Sequence, residues 1–181
     1  SIVYIIIIGM LGSVVGTGHR IKLVEIGSII FVTAYIFVGF YSLYMLRDLS
    51  LAHIGYLLLT IWFTDSFAYI GGMRFGKNKL SPKISPNKSI EGSVIGSLSS
   101  IVISLVFYFT TSIFTNLAVA IGITLVVSVI GQFGDLIESA YKREYGVKDS
   151  SNLLPGHGGI FDRFDSVILS APCLILLLNL L

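Results

Sequence analysis

The chain has 181 residues, of which 54% are apolar and only 12% charged, about half the roughly 25% charge of a soluble domain. With a mean hydropathy of +0.89, a soluble fold of this size could not hide its apolar surface, so the ordinary cytosolic globular class is excluded and lipid must cover the excess. One cysteine, Cys173, lies in an apolar run, which excludes a disulfide framework and a cysteine metal site.

Six apolar segments follow one another: Ile2–Gly16, Ile26–Leu46, Ile54–Ile70, Ser93–Thr110, Leu117–Ile130 and Val167–Leu181. A transmembrane helix needs about 20 residues, so the pattern predicts an all-α, polytopic transmembrane helix bundle with about six spans visible. Residues 1–53 read as N-terminal transmembrane helices and residues 54–181 as a catalytic transmembrane domain. The chain opens on Ser1 without a basic leader. The expectation is therefore a piece that begins inside a longer membrane protein, not a signal peptide.

The net charge of +2 is uninformative, but the placement of the charges is not. Of the 22 charged residues, 16 fall within residues 74–91 and 135–165. Six spans put loops 17–25, 71–92 and 131–166 on one side, with 11 of the 12 Lys and Arg, and leave Arg47 alone on the other. By the positive-inside rule the crowded side is cytoplasmic. The expected setting is a multi-pass protein of the inner cell membrane with its catalytic loops facing the cytoplasm.

Asp65 sits inside the third span, a costly place for a carboxylate and by default a functional one; a packing contact with Ser66, Tyr69 or a neighbouring helix is the plainer explanation. The loop after it carries Gly71, Gly72, Gly76, Pro82, Pro86 and the cations Arg74, Lys77, Lys79, Lys83 and Lys88. Glycines admit close backbone approach, and Lys and Arg suit a phosphate-bearing ligand. The same loop could simply set topology and touch lipid head groups. Its interleaved serines and glycines favour a phosphate site.

If the fifth helix continues past its apolar part, Asp135, Glu138, Ser139 and Lys142 stand at i, i+3, i+4 and i+7 on one face. Asp162 and Asp165, three apart, share a face at the start of the last helix. Carboxylates from two elements with cations around them fit a magnesium–polyphosphate site, because Mg2+ takes one or two carboxylates plus substrate phosphate oxygens. The run Pro155-Gly156-His157-Gly158-Gly159 is a turn whose backbone amides could face phosphate. Ordinary surface pairing of Glu138 with Lys142, and a loop histidine with a structural hydrogen bond, are the bland alternatives.

The run Ser139-Ala140-Tyr141-Lys142-Arg143, Lys148-Asp149, Ser151, Leu154-Pro155, His157-Gly158-Gly159-Ile160, Asp162-Arg163-Phe164-Asp165 resembles the signature of the phosphatidate cytidylyltransferase (CDP-diacylglycerol synthase) family. The signature occupies residues 139–165. Tyr141 departs from the family's usual aliphatic residue or phenylalanine. Asp65 to Tyr69, Gly76-Lys77, Lys79-Leu80, Ile84-Ser85-Pro86, Lys88 and Glu91-Gly92 also resemble this family, with Asn87 and Ser89 in place of its usual Lys and Thr. The likeness runs from about Ile54 to the C-terminus; the first two spans match only in hydropathy.

The resemblance implies transfer of a cytidylyl group from CTP to phosphatidate, giving CDP-diacylglycerol and pyrophosphate, with Mg2+ as cofactor. It implies Asp135, Asp162 and Asp165 as metal ligands, and these with Lys142 as the catalytic set. Arg143 would contact phosphates beside Lys142. Lys77, Lys79, Lys83 and Lys88 are the cations for the triphosphate or the lipid phosphate, and His157, Gly158 and Gly159 lie near the phosphates. Asp65, Ser85, Ser139, Lys148 and Arg163 complete the substrate-binding set. CTP, phosphatidate and membrane lipid are the expected partners and a homodimer is kept open; nucleic acid is not expected. The nearest rival is a related membrane transferase acting on a polyprenol or another lipid. The D-x2-D-G-x2-A-R run of the other CDP-linked membrane enzymes is missing from the sequence. A transporter or channel would often carry more charges inside its spans than Asp65 alone. A non-catalytic scaffold with basic lipid-binding loops is the remaining alternative.

Overall fold

A computed structural model describes residues 8–13, 16, 22–151 and 159–180. The chain divides into two compact units, residues 1–38 and residues 39–181.

In the first unit, residues 8–13 are helical and helix α1 (Leu23–Leu49) begins, running on into the second unit. The Glu25 carboxylate accepts the Lys22 backbone N–H at 3.2 Å. An acid in the first turn and Arg47 in the last both suit the helix dipole.

The second unit holds the remaining elements. Helix α2 (Leu51–Phe75) starts at Ser50, whose hydroxyl accepts the His53 N–H. Strands β1 (Lys79–Ser81) and β2 (Ser85–Ser89) form an antiparallel hairpin pairing Lys79 with Ser89 and Ser81 with Ser85. Ser89 then caps α3 (Ile90–Ser99) by accepting the Gly92 N–H at 3.1 Å. Helix α4 (Ile101–Thr110) follows at Ser100. Asn116 caps α5 (Leu117–Glu144), accepting from Ala118 and Val119, and α6 (Phe161–Asn179) comes last.

Among the described residues four stretches are long and apolar enough to cross a bilayer, as a polytopic bundle requires: Leu23–Leu49, Leu51–Phe75, Ile90–Thr110 across α3 and α4, and Leu117–Glu144. They contain the second to fifth expected spans. Most of the first expected span lies outside the described residues. Residues 167–179 of the last fall in α6, whose opening turns carry Asp162, Arg163 and Asp165, and Leu181 lies outside the described residues. The loop expected over 71–92 is structured, holding the hairpin and the last turn of α2.

Helices α2 and α3 touch backbone to backbone. A Cβ on Gly92 would lie 2.5 Å from Ala68 O, and one on Gly96 would lie 2.6 Å from Thr64 O. Small residues are the usual means of close helix packing in lipid, where no hydrophobic force draws helices together. Hydrogen bonds are the other. Tyr56 Oη meets Thr124 Oγ1 at 2.6 Å, and Thr64 Oγ1 lies 2.9 Å from Ser128 Oγ. Such bonds are each worth about 0.6 kcal/mol in a membrane bundle. The apolar core surrounds them, with Leu57, Ile61, Ile123, Val127, Val167, Ala171 and Leu174 buried. Tyr56 packs edge-on against Phe107 and Phe114.

Candidate active site

Helix α2 turns Trp62, Asp65, Ala68, Tyr69, Gly72 and Met73 toward a cavity of about 840 Å3. Their spacing of three and four places them on one helix face. The hairpin adds Leu80, Ser85, Asn87, Lys88 and Ser89. Ser93 comes from α3, Gln132 and Asp135 from α5, and Asp162, Arg163, Asp165 and Ser166 from α6. Carboxylates from three helices thus face one space, with Lys88 among them. A second cavity, between residues 49–53 and 109–113, lies at the opposite end of α2 and holds no acid or Lys/Arg side chain.

Lys88 Nζ donates to Asp135 Oδ2 in an ion pair, each side chain about a quarter exposed (27% and 28%). Ser139, one turn along α5, donates to Asp135 Oδ1 at 3.2 Å. Helix α5 does continue through Glu144, so Asp135, Glu138, Ser139 and Lys142 share a face. That face serves two sets of partners. Asp135 meets the cavity, while Lys142 Nζ bridges Glu138 Oε2 at 2.6 Å and Asp162 Oδ1 at 2.8 Å. Glu138 is 1% exposed.

Asp162 is also the anchor of the segment before α6. Its Oδ2 accepts the Ser150 N–H at 2.9 Å, the Ser150 hydroxyl at 2.8 Å and the Gly159 N–H at 2.6 Å. Burial alone would push this carboxyl up; the hydrogen bonds from Lys142, Gly159 and Ser150 outweigh it and hold the group well below the ordinary carboxylate range. Asp165, one turn on, has the opposite surroundings. Burial, then the negative charges of Asp135 and Asp65, push its carboxyl up to about 6, against the Ser166 N–H and Lys88. Both groups precede the apolar part of α6.

Close packing of α5 on α6 sets this geometry. A Cβ on Gly134 would lie 2.6 Å from Asp165 O, so the α6 backbone lies directly against α5 beside Asp135. Helix α5 ends at Glu144, and Gly146, two residues on, takes a φ of +67° that suits glycine. Val147 N–H then donates to Lys142 O at 2.9 Å.

Not every expected site residue reaches the cavity. Lys77, Lys79 and Lys83 do not line it. The Glu91 carboxylate instead accepts the backbone N–H groups of Lys77 and Asn78 and the Asn78 side-chain amide, tying residues 77–78 to the start of α3. Arg143 Nε donates to Ile84 O at 3.4 Å and Nη1 to Val147 O at 3.3 Å. Ser139 acts through Asp135, and Lys148 lies in the segment between α5 and Ser150. His157 and Gly158 lie outside the described residues; Gly159 donates to Asp162. Ser93 and Gln132 line the cavity, although neither belongs to a motif. A glutamine between two apolar stretches of one helix was the available signal.

Among the described residues no three acidic, histidine or cysteine side chains form a ready-made metal cluster. The donor set nevertheless fits Mg2+, which needs only one or two carboxylates when phosphate oxygens and water supply the rest.

A model of the Cytidylyltransferase family matches residues 1–181. The chain is 41% identical over 160 residues to the phosphatidate cytidylyltransferase of Staphylococcus aureus (strain COL). It is likewise 41% identical to that of Staphylococcus haemolyticus (strain JCSC1435) and 43% identical to that of Staphylococcus epidermidis (strain ATCC 12228 / FDA PCI 1200). Each match covers 88% of this chain and 62% of the relative. The chain belongs to the cytidylyltransferase family.

Proposed function

We propose that this protein transfers a cytidylyl group from CTP to phosphatidate at the cavity between α2, α5 and α6. A phosphate oxygen of phosphatidate attacks the α-phosphorus of CTP, the bond from that phosphorus to the β-phosphate oxygen breaks, and CDP-diacylglycerol and pyrophosphate result. The relatives' names supply the substrates. The observation that carries the reading is the cavity that joins Asp65, Asp135 and Asp165 to Lys88.

The nucleophile is already anionic, so the reaction needs no strong base. Its difficulty is repulsion between two polyanions and charge building on the leaving group. Lys88 is placed to neutralise phosphate, and Arg163, from α6, adds a second cation to the lining. Asp135 and Asp165 would hold Mg2+, with Asp65 facing them. When bound, the ion would screen the phosphates and stabilise the leaving pyrophosphate. Asp162, engaged by Lys142 and Ser150, would join as a ligand only on releasing them. It otherwise keeps the Lys142 ammonium fixed beside the site.

The setting we propose is the cell membrane, with this end of the bundle facing the cytoplasm. The distribution of basic residues supports that orientation, and CTP would reach the cavity from that side while acyl chains stay in lipid. Purified full-length protein given phosphatidate, Mg2+ and labelled CTP should move label into chloroform-soluble lipid. Transfer to a polyprenol phosphate in place of phosphatidate would reassign the acceptor.

A further inference from the structure

A line of hydroxyls and one amide crosses three helices and reaches the cavity at Gln132 and Ser93. Thr64 Oγ1 on α2 lies 2.7 Å from Thr60 O and 2.9 Å from Ser128 Oγ on α5. Ser128 Oγ donates to Ser97 Oγ on α3 at 3.0 Å. Gln132, one turn further along α5, donates through Nε2 to Ser97 Oγ at 2.8 Å and to Ser93 O at 3.3 Å. Its Oε1 accepts from the Ser93 hydroxyl. Both polar atoms of the Gln132 side chain are therefore committed to α3.

The ends of this line are informative. Thr64 immediately precedes Asp65, and Gln132 is three residues, one turn, before Asp135. Asp65 and Asp135 come from different helices and must oppose each other in one cavity. Apolar surface in lipid specifies the sliding of one helix along another poorly, because lipid tails are as apolar as the side chains. Buried polar groups specify it well, since a slipped register leaves them unsatisfied. We propose that Gln132 is a positioning residue that fixes α5 in register with α3 and α2, so that Asp135 stands opposite Asp65 and beside Lys88. This rests on the transferase reading given above for its kinetic readout, but not for its structural one.

Gln132→Met keeps the length of the side chain and removes its hydrogen bonds. Tyr56→Phe breaks the Tyr56–Thr124 bond, which ties α5 to α2 instead, away from the cavity. In full-length protein, Gln132→Met should lower kcat by about 100-fold, the usual result of a misplacement near 1 Å. The Mg2+ concentration for half activity should rise and the KM for phosphatidate should hold. Tyr56→Phe should lower the unfolding temperature and leave all three constants per folded molecule unchanged.

Spin labels at Ile70 on α2 and Ile137 on α5, both exposed, report the register without any assay, in a Cys173→Ser background. Their distance distribution should shift or broaden with Gln132→Met and not with Tyr56→Phe. If Gln132→Met does not fold, Ser97→Ala removes the Gln132–Ser97 and Ser128–Ser97 bonds from the α3 side, leaves the Ser93 bonds, and should act in the same direction with a smaller effect. Unchanged distances and constants, or equal effects from both variants, would overturn the proposal. An inactive wild type with label distances that still respond to Gln132→Met would sink the transferase reading and keep the positioning role.

Discussion

Lys88 of the hairpin and Asp135 of α5 are joined by an ion pair that spans 47 residues of sequence. With the Arg143 Nε to Ile84 O bond, it ties the first basic loop to α5. Lys88→Met leaves Asp135 without its cation and a polyphosphate without a neutralising partner. The expected loss in kcat/KM is about 100-fold or more, with membrane insertion unchanged. A smaller loss than that of Lys79→Met or Lys83→Met, which alter lysines outside the cavity, would remove Lys88 from the site.

Asp165 and Asp162 should give the protein a characteristic pH response. With its carboxyl raised to about 6, Asp165 is protonated in acid and loses its value as a cation ligand as pH falls through 6. Asp162 stays charged throughout. In the absence of a divalent cation, the stability associated with the raised group is complete below the unfolded value near 4. It is lost as pH rises through 6. Mg2+ should therefore raise the unfolding temperature more at pH 8 than at pH 5. Asp165→Asn should abolish that difference.

Asp162 ties Ser150 and Gly159 to the start of α6 as well as holding Lys142. Asp162→Asn weakens charge-assisted bonds worth about 1.5–3 kcal/mol each. Hydrogen exchange at the Ser150 and Gly159 amides should accelerate by about tenfold or more, while exchange within α2 and α3 holds. Uniform acceleration across the bundle would point to global destabilisation instead.

The α2–α3 contact predicts a graded response to methyl groups. Gly96→Ala forces a methyl against Thr64 O, whereas Gly122→Ala on α5 meets nothing within 4 Å. The first should cost about 1–3 kcal/mol and the second should be neutral or mildly stabilising. Thermal unfolding in detergent separates them.

The long helices were legible because lipid imposes length and apolarity on every span. Asp65 was legible for the same reason, as a charge where charge is costly. The hairpin was not. Residues 79–89 are Lys, Ser, Pro and Asn apart from Leu80 and Ile84, with little alternation, and their pairing is supported by bonds elsewhere: Ile90 N–H to Asn78 O, and the Lys77 and Asn78 N–H groups to the Glu91 carboxylate. Nor could composition separate Lys88 from Lys77, Lys79 and Lys83, four like charges in one loop. The fold separates them, because β2 carries Lys88 to α5. The i, i+3, i+4, i+7 face of α5 was legible, but its division between Asp135, paired with Lys88, and Lys142, paired with Glu138 and Asp162, depends on where the hairpin and α6 pack. Gln132 and Ser93 escaped because small polar residues are common between membrane helices, and only their partners distinguish them.

The most direct measurement is Mg2+-dependent incorporation of labelled CTP into chloroform-soluble lipid by purified full-length protein, with phosphatidate as acceptor. Wild type should incorporate label. Asp135→Asn and Asp165→Asn should abolish incorporation while still inserting and unfolding cooperatively. No incorporation by wild type, or near-normal incorporation by both variants, would contradict a cytidylyl-transfer site built on these carboxylates.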